Sequence, residues 1–67
     1  MPYGKQYKDL KVISKRMLKE VGLEYDFNFD VRVSDMAITI LEDLYSKDFN
    51  ESEINNAITV MKSATRF

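Results

Sequence analysis

The run Tyr25-Asp26-Phe27-Asn28-Phe29-Asp30-Val31-Arg32-Val33 alternates large apolar and polar residues without a break. Period-two alternation carried by aromatic and β-branched residues predicts a strand over 25–33 with one buried and one solvated face. Phe27, Phe29, Val31 and Val33 form the apolar set, and Asn28, Asp30 and Arg32 the polar one. No other segment alternates in this way, and a lone strand leaves its backbone donors and acceptors without partners. The strand is therefore expected to pair with a second copy of itself, which makes Phe27, Phe29, Val31 and Val33 a dimer core. In a monomer, residues 23–33 would have to fold back as a hairpin.

Size points the same way. Sixty-seven residues make one small domain, spanning 1–67, in which a single core is marginal without a disulfide, a metal or a partner chain. The chain has no Cys and no His, which removes disulfides, thiolate chemistry and the usual zinc ligands and leaves dimerisation as the remaining staple. The materials of catalysis are also missing. There is no glycine-rich loop, since Gly4 and Gly22 are the only glycines, and no serine sits in a nucleophile elbow. The acidic pairs Glu42-Asp43 and Glu51, Glu53 read as solubilising charge on helix surfaces, and no calcium-loop spacing is present. A non-enzymatic protein is expected, with no catalytic residue, cofactor, metal or small-molecule substrate. No apolar run approaches the ~20 residues of a membrane span, and mixed charge fills the place where a signal peptide needs an apolar stretch. The expected location is cytoplasmic, without a membrane partner.

The rest of the chain reads as helix. Over 5–21, Tyr7, Leu10, Ile13, Met17, Leu18 and Val21, preceded by Tyr3, fall on one side at helical spacing, and Gly22 supplies a left-handed cap. The other side carries Lys5, Lys8, Lys11, Lys15, Arg16 and Lys19, with Asp9 and Glu20 only at an edge. Residues 1–22 hold six basic and two acidic side chains, and residues 23–67 hold four basic and nine acidic ones. The basic face is either a solvated cover whose lysine stems lie over apolar surface, or a contact for phosphates or an anionic membrane. A second helix is expected over 35–47, capped by Ser34 with Asp35 in its first turn, with Ala37, Ile38, Ile40, Leu41, Leu44 and Tyr45 on its apolar side. A third is expected over 51–65, where Asn50 and Glu53 have capping-box spacing and Ile54, Ala57, Ile58, Met61 and Ala64 share a side. The expected class is α+β and mostly helical, in the order helix-strand-helix-helix, with the single strand pairing across a homodimer as an antiparallel ribbon.

From 27 to 65 the order strand-helix-helix, with Asn50-Glu51-Ser52-Glu53-Ile54 opening the last helix, resembles the ribbon-helix-helix DNA-binding family of the Arc and MetJ repressors. The resemblance implies a homodimeric transcriptional regulator or repressor that lays the polar face of its ribbon in the major groove of double-stranded DNA. Asn28, Asp30 and Arg32 would then contact bases, with Arg32 suited to a guanine edge and Asn28 to an adenine edge. Asn50, Glu51 and Ser52 would approach a phosphate, and Lys8, Lys11, Lys15 and Lys19 would add backbone contacts if the first helix faces the DNA. The alternative is a small protein-binding inhibitor or adaptor without nucleic-acid activity, favoured by the acidic 23–67 region. A combination of the two, a DNA-binding antitoxin that also neutralises a protein, lacks the long tail such a protein would use.

Overall fold

The computed structural model describes residues 4–65, so Tyr3 lies outside the described residues. It has three helices: α1 (Gly4–Glu20), α2 (Phe29–Ser46) and α3 (Glu51–Ala64). None of the described residues forms a strand. The expected α+β ribbon is therefore replaced by an all-helical fold. Residues 21–28 form a connector of turns, and what was expected as the second half of the strand is the first turn of α2.

The physical reason lies in a second periodicity within the same residues. Phe29, Val33, Ala37, Ile40 and Leu44 follow one another at helical spacing, so the segment satisfies a 3.6-residue repeat as well as a two-residue one. A helix pairs its own backbone groups, whereas a strand here needs a second chain. Burial follows the helical repeat: Val33 is 5% exposed and Ala37 fully buried, while Val31, its partner in the strand reading, is 58% exposed. The dimer core of Phe27, Phe29, Val31 and Val33 is accordingly dispersed. Val33 turns inward within one chain, Phe29 is half-buried, and Phe27 and Val31 face solvent. Ser34 and Asp35, expected as cap and first turn, lie inside α2.

Each boundary has a local cause. Gly22 adopts φ 81°, and its N–H donates to Lys19 C=O at 3.0 Å while Leu23 N–H donates to Leu18 C=O at 3.0 Å, which is the paired bonding of a Schellman end. Asp26 then breaks the alternation. Its carboxylate accepts from Asn28 N–H at 2.7 Å, an Asx turn, and its C=O accepts from Phe29 N–H at 3.1 Å. Arg32 N–H donates to Asn28 C=O at 2.9 Å, the first bond of the α2 ladder. Asp48, at φ 60°, takes the left-handed position that ends α2. Asn50 opens α3 with a full capping box: its Oδ1 accepts from Glu53 N–H at 2.8 Å, and Glu53 Oε1 accepts from Asn50 N–H at 3.0 Å.

α1 is the element on which the other two pack, since α2 and α3 scarcely touch each other. Leu10 and Ile13 of α1 meet Ala37 and Leu44 of α2 and Ile54 and Ile58 of α3 in one buried cluster. Half-buried Tyr7, Ile40, Leu41, Tyr45, Ala57 and Met61 surround it. Gln6, only 5% exposed, fastens all three helices. Tyr45 Oη donates to its Oε1 at 2.8 Å, and its Nε2 donates to Asn55 Oδ1 at 2.6 Å. The Tyr45 bond places the C-terminal end of α2 beside the N-terminal end of α1, so these helices run antiparallel.

Candidate interaction surface

The helical form of 29–33 rearranges every residue expected to read bases. At ~100° per residue Asn28 and Arg32 lie on one side of the α2 N-terminus, and Asp30 is carried to another. All three are exposed. Arg32 Nε lies 3.6 Å from Asp26 Oδ1, so its guanidinium leans on the carboxylate that shapes the connector. Without a strand there is no ribbon, and the three side chains do not form one reading face.

Asn50, Glu51 and Ser52 stand exposed at the α3 N-terminus. The capping box occupies the Asn50 and Glu53 amides internally, and the Glu51 and Glu53 carboxylates bring negative charge to the place where a phosphate would approach. Glu51 also lines an open polar groove between α1 and α3, together with Lys5, Gln6, Asp9 and Asn55.

Two surface features remain. The first is the connector. Tyr25 is 90% and Phe27 99% exposed, and Val21 and Val31 on either side are also exposed. Single exposed apolar residues are ordinary, but here four fall within residues 21–31, two of them aromatic. The backbone that carries them is held by the Schellman end, by Asp26 N–H donating to Leu23 C=O at 3.1 Å, and by the Asx turn. In sequence, exposed Glu20 and Glu24 neighbour the two aromatic residues on their N-terminal side.

The second feature is the lysine face of α1. Lys8, Lys11, Lys15 and Lys19 are all exposed and fall within an arc of about 80° on the helix. Among the described residues none of the four has an ion pair; the bridges present are Asp26 to Arg32, Asp43 to Lys47 and Asp9 to Lys62. Lys11 Nζ sits 5.4 Å from the centre of the Tyr7 ring. Asp30 lines the groove beside Lys11, Val12 and Lys15.

Sequence reasoning did not single out Gln6, Ser14, Tyr25 or Asp26 for the roles they have. Signals existed for two of them: Gln6 shares the i, i+4, i+7 register of Leu10 and Ile13, and Asp26 stands two residues before Asn28 at a helix start. Among the described residues no group of three or more His, Cys, Asp or Glu side chains is placed to hold a metal ion, and no helix is long and apolar enough to cross a membrane.

No family model, no curated protein and no solved structure matches the chain.

Proposed function

We propose that this is a small, non-catalytic docking module, an inhibitor or adaptor of the cytoplasm, that seats Tyr25 and Phe27 in an apolar pocket of a protein partner. The observation that carries the reading is the display of two almost fully exposed aromatic rings on a connector tied down by turn hydrogen bonds. Aromatic side chains bury about 150–250 Å² each and dominate the anchoring residues of interfaces. A backbone already fixed loses less entropy when it binds. The acidic sequence neighbours Glu20 and Glu24 suit a pocket edged by Lys or Arg. Reading of bases by a strand is not carried forward, because that mode depends on the absent ribbon.

The test is site-specific photo-cross-linking in cells of the source organism, with a benzophenone amino acid in place of Phe27. The expected result is one dominant adduct with a different protein, lost when Tyr25→Asp is added. Absence of an adduct counts against the module. An adduct confined to a second copy of this chain also overturns it, and would assign Phe27 and Val31 to a homodimer contact instead.

A further inference from the structure

We propose that the lysine face of α1 is a second binding site, separate from the aromatic connector, for the phosphate backbone of a double-stranded nucleic acid. Four exposed lysines without acidic partners among the described residues lie along 12 residues of one rigid helix, about 16 Å of its axis. A duplex carries one negative charge per ~1.7 Å of axis, so a stripe of that length meets more phosphates than it has lysines. The acidic side chains that make the protein acidic overall belong mainly to residues 23–67, and the Debye length of ~10 Å at 0.1 M salt limits how far their repulsion reaches.

The geometry disfavours a bilayer as the ligand. A helix that lies on a membrane must insert its apolar side, and the apolar side of α1, Leu10 and Ile13, is fully buried against α2 and α3. Binding is independent of base sequence, because the stripe meets the duplex through ammonium–phosphate contacts, which carry no sequence information. Asp30, beside Lys11 and Lys15, opposes the ligand at one edge.

The experiment is fluorescence anisotropy of a labelled duplex of roughly 20 base pairs titrated with the intact protein across a salt series. Four phosphate contacts predict a fall in affinity of about 100-fold between roughly 50 and 200 mM salt. The double variant Lys11→Ala, Lys15→Ala makes the log-log salt slope shallower by about 2. Lys47→Ala, which removes a lysine already paired with Asp43, leaves the slope unchanged. Asp30→Asn strengthens binding severalfold, and an RNA duplex binds like DNA to within a few-fold. Circular dichroism of each variant establishes that it is folded. Three results overturn the site: no duplex binding at the lowest salt, a slope that the double variant does not change, or binding to phosphatidylglycerol vesicles in place of the duplex. Because the probe is a nucleic acid and the variants avoid residues 21–28, failure here leaves the docking role of Tyr25 and Phe27 standing.

Discussion

The hydroxyl of Ser14 is fully buried in α1 and has no hydrogen-bond partner among the described residues. A buried polar atom without a partner costs about 1–3 kcal/mol of desolvation, and replacing it with an apolar group of similar size removes that cost. Ser14→Ala is therefore expected to raise unfolding stability by about 1 kcal/mol. Urea denaturation measures this, and a loss of stability would show that the hydroxyl has a partner. Gln6 is the opposite case, with both ends of its amide bonded across helices. Gln6→Ala leaves Tyr45 and Asn55 without those bonds and is expected to lower stability by about 1–3 kcal/mol, a large fraction of what a small domain has. An unchanged denaturation midpoint would contradict the three-helix clasp.

At the scale of elements, the helical periodicities and two of the capping signals were legible in the sequence. Gly22 has the positive φ of a left-handed cap, and Asn50 with Glu53 forms the capping box their spacing implies. Residues 25–33 misled because two periods coincide there. Phe29, Val31 and Val33 alternate, yet Phe29, Val33 and Ala37 also repeat every four residues, and the decision between them rests on tertiary burial against α1 that no local window contains. The turn chemistry of Asp26 was the local sign that alternation stops. Of the candidate site, the lysine face was legible as a helical stripe, but the aromatic surface was not, because the strand reading assigned Phe27 to a core. Paired substitutions separate the two forms. Val33→Ala is expected to destabilise the fold by about 2 kcal/mol, whereas Val31→Ala stays within about 0.5 kcal/mol. Equal losses at both positions would favour a shared buried face, as in a strand.

For the molecule as a whole, opposite charges are segregated, with a basic face on α1 and most acidic side chains after residue 22. Among the described residues, the cluster that joins the three helices contains six buried apolar side chains, with a ring of half-buried ones around it. A partner that covers the connector would add to this small core, since anything that binds only the folded form stabilises it by mass action. These properties depend on where α2 begins. If α2 starts at Phe29, then Tyr25 and Phe27 are free to dock and no ribbon exists. If 25–33 is a strand, Phe27 is lost to a dimer core. Backbone NMR of the purified full chain decides between these directly. Cα secondary shifts positive from Phe29 through Val33, continuous with the rest of α2, are the expected result. Negative shifts across 25–33 accompanied by contacts between strands of two chains would contradict the account.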